Sequence, residues 1–376
     1  MIYLDYAAAT PVDPRVQAAM QPFWDEQFYN PSALYMAGRE VAQLLDQARA
    51  DVALCLGARP SEIIFTAGGT EADNLAIHGV MQTYPQAKLL VSGVEHDAVL
   101  EVAQQYHADI IPVTKTGLVD LEALRQQLDD QVVLVSVMYA NNELGTIQPL
   151  KQIAALIKQV RTARQKAGND LPLYLHTDAS QAGNYLDLHV SRLGVDLMTL
   201  NGGKIYGPKQ TGGLFVKSGI VLQPQVRGGG QERGLRSGTE NVAGSVGFAT
   251  ALRLAQADRQ QEGRRLRALR DQFVDELCTV IPAIDVNGDK QSLPNIVHIT
   301  IPGVDNERVM MQLDEKGILC AVGSACSASH DEPSHVLKAI GMSDAEARSS
   351  LRFSMGSGTT QKDLKTVVGI LQQLVV

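Results

Sequence analysis

Long apolar runs, cysteine and tryptophan are all scarce in this 376-residue sequence. The longest apolar run, Val132 to Val135 and its neighbours, is strand-sized and far short of the ~18 residues that span a bilayer, which excludes a membrane-spanning protein. The 4 cysteines, Cys55, Cys278, Cys320 and Cys326, are too few and too unevenly spaced for a disulfide framework or a zinc site. They are expected to be free thiols. Positive charge is also in the minority: 33 Lys and Arg against 41 Asp and Glu leave a net charge of -8. Only Arg264 to Arg270 is locally basic, so direct nucleic-acid binding over a broad surface is not expected. The first residues, Met1 to Thr10, contain Asp5 but no Lys or Arg, hence no charged n-region of a secretory signal, and a cytoplasmic location is expected.

What the chain does have is an ordinary globular composition, 45% apolar and 20% charged, in a length worth roughly two domains at ~150 residues each. Short β-branched runs alternate with helix-length amphipathic stretches: Ile63–Phe65 then Glu71–Tyr84, Leu89–Val91 then Ala98–His107, Val132–Met138 then Leu150–Ala167. The alternation predicts an α/β fold, a mostly parallel sheet with helices on both faces. Further strands are expected at Tyr174–Thr177, Leu197–Leu200 and Gly213–Val216. A glycine-rich stretch at Gly228–Gly238 then breaks the pattern, and a long charged helix over about Asn241–Val280 is expected to bridge to a second, smaller domain. The last third fits an α+β domain: Asn295–Ile301, a helix at Asn306–Lys316, Ile318–Val322, a helix at Ser334–Ile340, Leu351–Ser354 and a closing helix to Val376.

In open α/β sheets ligands bind beyond the carboxyl ends of the strands, so polar residues just after the expected strands come first. Thr66-Ala67-Gly68-Gly69-Thr70-Glu71 follows one strand and opens a helix, a seat for a phosphate; an ordinary N-cap after a glycine turn is the alternative. His96 stands at the start of the next helix, where a plain polar helix-start residue is the default. Asp178 ends one strand and Lys204 follows the next, 26 residues on. A Schiff-base amine, an anionic partner for a pyridinium nitrogen and a phosphate cradle are what pyridoxal phosphate needs, while a simple salt bridge is the alternative for the pair. Cys326 sits among small residues in Gly323-Ser324-Ala325-Cys326-Ser327-Ala328-Ser329, an accessible setting for a nucleophilic thiol. Cys55 and Cys278 on apolar helix faces and Cys320 inside a strand read as packing. Arg352 could grip a substrate carboxylate with its fork of donors, a surface ion pair being the default.

Across nearly its whole length the sequence resembles the cysteine desulfurases of the NifS/IscS type, within the class V aminotransferases of fold-type I. The matching segments include Tyr3 to Ala8, Asn30-Pro31-Ser32, Thr70 to Ile77, Glu95-His96, Ala140 to Glu143, His176 to Ala179 with Gln181, Lys204 to Lys209, Gly228 to Thr239, Gly323 to Cys326 and Arg352-Phe353-Ser354. The resemblance implies a large domain, residues 15–255, with a mostly parallel seven-stranded sheet, and a smaller α+β domain, residues 1–14 and 256–376, carrying the Cys326 loop. It implies Lys204 as the Schiff-base lysine of pyridoxal phosphate, Asp178 at the pyridine nitrogen, Gln181 at the ring hydroxyl and His96 stacked on the ring. Gly69 and Thr70 would hold the phosphate, with Thr239 reaching it from the partner subunit of a homodimer. Asn142 and Arg352 would hold the substrate carboxylate. Where the family commonly has His just before the lysine and Ser two residues earlier, this chain has Gly203 and Asn201.

The implied reaction converts L-cysteine to L-alanine. Lys204 takes the Cα proton and Cys326 removes the sulfur as a persulfide, for delivery to an iron-sulfur scaffold or a tRNA-thiolating enzyme. A class V aminotransferase or a selenocysteine lyase is the nearest alternative, although a plain aminotransferase has no use for Cys326. A cofactor-poor sulfur-carrier binding partner is the alternative from a different class. No metal is implied.

Overall fold

The computed structural model describes residues 1–323 and 332–375. The strands in chain order are β1 (Ile2–Tyr3), β2 (Ile63–Thr66), β3 (Lys88–Ser92), β4 (Asp109–Ile111), β5 (Val132–Ser136), β6 (Tyr174–Asp178), β7 (Leu197–Asn201) and β8 (Gly212–Val216). They are followed by β9 (Asp285–Asn287), β10 (Ile296–Thr300), β11 (Ile318–Leu319) and β12 (Ser350–Ser354). A seven-stranded sheet has the order β2-β8-β7-β6-β5-β3-β4, and only β8 runs against its neighbours. The mostly parallel reading holds because β5 is apolar from Val132 to Val135 and buried along its whole length, as a helix-covered sheet requires.

One apolar core joins the sheet to its helices, running from Val16 to Leu252; another joins Leu4 to residues from Leu266 to Leu371. The helix Val242–Val280 belongs to both, through Phe248 and Leu252 at one end and Phe273 and Leu277 at the other, as its expected bridging role requires. Its Arg-rich stretch is structural: Arg265 pairs with Glu262 at 2.7 Å and donates to the Gly356 and Thr359 carbonyls, while Arg270 donates to Ser292 and Leu293. No helix among the described residues is long and apolar enough to cross a membrane.

Several elements go beyond the sequence reading. A long helix, Met36–Leu56, packs on Val242–Val280, and the two-residue strand β1 pairs in parallel with β11 across the length of the chain. Cys278 is exposed rather than packed, because it lies one residue past buried Leu277 and therefore about 100° around the helix from it. Cys55 and Cys320 do pack, and burial pushes their thiols up to about 11 and about 12.

The glycine-rich stretch is tied to the sheet by one buried ion pair. Arg49 forks onto Glu232, Nη1 to Oε2 and Nη2 to Oε1 both at 2.7 Å, and Glu232 Oε2 also accepts from the Phe65 N–H at 2.9 Å. Glu232→Ala leaves Arg49 uncompensated and is expected to cost about 3 to 5 kcal/mol, measured by denaturant unfolding. A loss below ~1 kcal/mol would show that the pair does not anchor the stretch.

Candidate functional site

Parallel pairing of β6 with β7 sets Asp178 opposite Thr199, and β7 runs on to Asn201 before the tight turn Gly202–Lys204. Asp178 and Lys204 thereby reach the carboxyl edge of adjacent strands. The Asp178 carboxylate accepts the Ser180 N–H at 2.8 Å. Lys204 Nζ donates to the Ala7 and Ala8 carbonyls at 3.0 and 2.7 Å, and Gln181 Nε2 donates to the same Ala7 carbonyl at 2.9 Å.

Beside them the helix Gly69–Thr83 begins after Gly68, whose φ of 140° lies where side chains are strained. A Cβ at Gly69 would stand 3.0 Å from Ser180 Oγ and 3.3 Å from Asn201 Nδ2, so two side-chain donors converge on the start of this helix. Asn201 Oδ1 is engaged by the Gly203 N–H at 3.0 Å, which turns its amide nitrogen outward. Asn201 and Ser180 thus supply donors beside the start of this helix. Gly203 is not held there by a left-handed backbone, and a Cβ on it would meet only ordinary contacts, Asn201 Oδ1 at 3.5 Å being the nearest.

His96 caps the helix Asp97–Gln104, its Nδ1 accepting the Ala98 N–H at 3.0 Å, which fixes the ring's orientation. Beneath the cavity lies a cluster of buried acids. Glu95 Oε1 accepts from Ser92 and from the Met138 N–H at 2.7 and 2.6 Å, yet burial raises its carboxyl to about 8. Asp73 is 1% exposed, its Oδ1 has no hydrogen-bond partner among the described residues, and burial followed by the charge of Asp178 pushes it well above the usual carboxylate range. His176, 3.6 Å from Asp73, is lowered to about 3 by burial and is neutral.

Gly69, Thr70, His96, Asn142, Asp178, Gln181, Lys204 and Arg352 all line one cavity of about 240 Å³. Arg352 is no surface residue: it is 1% exposed, with Nη2 on Asp5 Oδ1 at 2.7 Å and Nη1 on the Asn142 carbonyl at 3.0 Å. Thr239 is exposed and lies outside this cavity, and Cys326 lies outside the described residues. The sequence reading missed Asp73, Ser180 and the Ala7 and Ala8 carbonyls. Asp73 was open to discovery, three residues after Thr70 and so on the same helix face. A larger hollow of about 450 Å³ beside Tyr185, Tyr206 and Leu254 contains none of the expected site residues. No cluster able to hold a metal ion occurs among the described residues.

The sequence profile of Aminotransferase class-V matches residues 2–367. The chain belongs to this family. Among curated class V relatives, "Cysteine desulfurase IscS" of Dictyoglomus turgidum is 38% identical over 382 residues, covering 100% of this chain and 94% of the relative. Among solved structures, a "NIFS-LIKE PROTEIN" superposes with a TM-score of 0.90 at 30% identity, covering 99% of this chain and 98% of that one. "SspA in complex with cysteine" superposes with a TM-score of 0.80 at 32% identity, covering 94% of this chain and 99% of that one.

The buried acid gives a signed pH test. Asp73 is raised in the folded protein above its unfolded value near ~4, so wild type loses stability as pH climbs from there toward the folded value. Asp73→Asn removes this loss: it is expected to be more stable than wild type by on the order of 1 to 3 kcal/mol at pH 8, the difference closing at pH 4. Urea unfolding at both pH values measures it; a difference independent of pH would mean that Asp73 does not hold a proton.

Proposed function

We propose that this class V aminotransferase is a pyridoxal-phosphate-dependent cysteine desulfurase that converts L-cysteine to L-alanine and collects the sulfur on Cys326. The observation that carries the reading is one cavity shared by a lysine and an aspartate on adjacent strand ends, a helix N-terminus and a buried arginine. Relatives named cysteine desulfurase over the full chain, and a cysteine complex among the similar structures, support the substrate.

The residues present suit the cofactor on their own chemistry. Converging donors at Gly69, Ser180 and Asn201 suit a phosphate, and the strand-end carboxylate of Asp178 suits a cationic ring nitrogen. In this reading Gly69 and Thr70 hold the phosphate, Asp178 the ring nitrogen and Gln181 the ring hydroxyl, with His96 against the ring face and Thr239 contributed by a partner subunit. Bound there, pyridoxal phosphate would supply an electron sink for the substrate's Cα. Arg352 and Asn142 hold the substrate carboxylate, and the Lys204 amine takes the Cα proton. The Cys326 thiolate attacks the substrate's Sγ: an S–S bond forms, the Cβ–S bond breaks, and its electron pair ends in a C–H bond of alanine. One thiol and one cysteine thus yield one persulfide and one alanine, with no outside oxidant.

Residues 15–255 would then act as the large domain, and 1–14 with 256–376 as the small domain that carries the sulfur. A homodimer is supported by a run of exposed apolar side chains, Trp24, Phe28, Leu34, Tyr35 and Met36, from 56 to 83% exposed. The cytoplasm, and as acceptor an iron-sulfur scaffold protein or a tRNA-thiolating enzyme, complete the proposal.

Lys204→Ala is expected to lose the visible absorption of bound cofactor and the covalent attachment that borohydride reduction produces; cofactor reduced onto another lysine would overturn the assignment. Cys326→Ala is expected to keep that absorption and its response to L-cysteine while releasing no sulfide, followed by colorimetric sulfide assay. Undiminished sulfide release would remove Cys326 from the mechanism.

A further inference from the structure

Arg352 is permanently charged and 1% exposed, so its charge must be balanced within the protein. The acids nearest to it differ sharply. Glu143 is 1% exposed, its Oε2 accepts the Ser334 hydroxyl at 2.7 Å, and burial raises its carboxyl despite the charge of Arg352. Asp5 is the ion-pair partner, at 2.7 Å with its side chain 20% exposed. Among the described residues the guanidinium also donates to the Asn142 carbonyl at 3.0 Å, and Nε is shielded with no hydrogen-bond partner.

The position of Asp5 is set by backbone. Leu4 N–H donates to the Leu319 carbonyl at 2.8 Å, Asp5 bridges to Ser354, and the Ala7 N–H donates to Ser354 Oγ at 2.9 Å. Two and three residues further on, the Ala7 and Ala8 carbonyls receive Lys204. One short segment thus places a carboxylate on the arginine and two carbonyls on the lysine of the same cavity.

We propose that Asp5 determines carboxylate selectivity in the cavity, as a built-in competitor of the amino-acid substrate's carboxylate for Arg352. The proposal rests on the reading of Arg352 as the substrate-carboxylate group. A carboxylate entering the cavity meets a guanidinium whose charge Asp5 already balances and whose Nη1 and Nη2 each already hold an acceptor, so it gains less from a charge-assisted pair than an uncompensated guanidinium would give. Asp5 thereby limits the affinity for simple carboxylates, and removing its charge makes the site bind them more tightly.

The experiment compares wild type with Asp5→Asn, which keeps an acceptor oxygen for Arg352, and with Asp5→Glu, which keeps the charge. Steady-state kinetics of the holoenzyme use L-cysteine and cysteamine, its analogue without a carboxylate. Asp5→Asn is expected to lower KM for L-cysteine roughly three- to tenfold with a smaller change in kcat, and to leave KM for cysteamine without a fall. Calorimetric titration of the cofactor-free protein with L-alanine is expected to show the same tightening, and Asp5→Glu to stay nearer wild type in both. Asp5→Ser, if Asp5→Asn fails to fold, carries the same expectation. A raised or unchanged KM for L-cysteine in Asp5→Asn, with KM raised by Arg352→Ala, would overturn the competitor role while leaving the carboxylate site intact. An unchanged KM in Arg352→Ala would overturn the carboxylate reading and the proposal together.

Discussion

The start of the chain holds the cavity together. β1 adds to β11 in the smaller body, Asp5 bridges to Ser354 of β12, and the next residues cross to the larger one, where Thr10 exchanges hydrogen bonds with Gly203 and Tyr206. On the way the segment meets Arg352 through Asp5 and Lys204 through the Ala7 and Ala8 carbonyls. These contacts join residues 193 or more positions apart in sequence. Their closure entropy is paid once, by the two packed cores, after which each added bond comes at little further ordering cost.

Charge in the cavity is rationed by burial. Glu95, Asp73 and Glu143 are all raised, and His176 is lowered, so the buried cluster beneath the site stays close to neutral. The Asp5–Arg352 ion pair, by contrast, brings opposite charges to the cavity. Neutral buried acids cost stability at neutral pH, and their place under the cavity fits a region shaped for function rather than for stability.

Much of this was legible in the sequence, for identifiable reasons. Strands such as Val132–Ser136 are apolar on both faces and flanked by amphipathic helices, so the parallel sheet, and with it Asp178 and Lys204 at adjacent strand ends, could be read directly. The short strands β1, β4 and β9 were not, because two or three residues carry no period. The helix Met36–Leu56 was missed as well: Met36, Leu44 and Leu54 are exposed on it, and Tyr35 gives no side-chain cap. Cys278 was misassigned because a single helical position cannot be told from its neighbour without knowing which face is covered. The partner of Arg352 was illegible in principle, since Asp5 is brought to it by the pairing of two distant strands.

The most direct measurement is a single turnover of cofactor-loaded protein with one equivalent of L-cysteine. Peptide mass spectrometry then locates the transferred sulfur while the L-alanine formed is counted. A desulfurase of the kind proposed yields one alanine for each added sulfur atom, with that sulfur on the peptide containing Cys326. Alanine without protein-bound sulfur, or sulfur on Cys55, Cys278 or Cys320 instead, would contradict it.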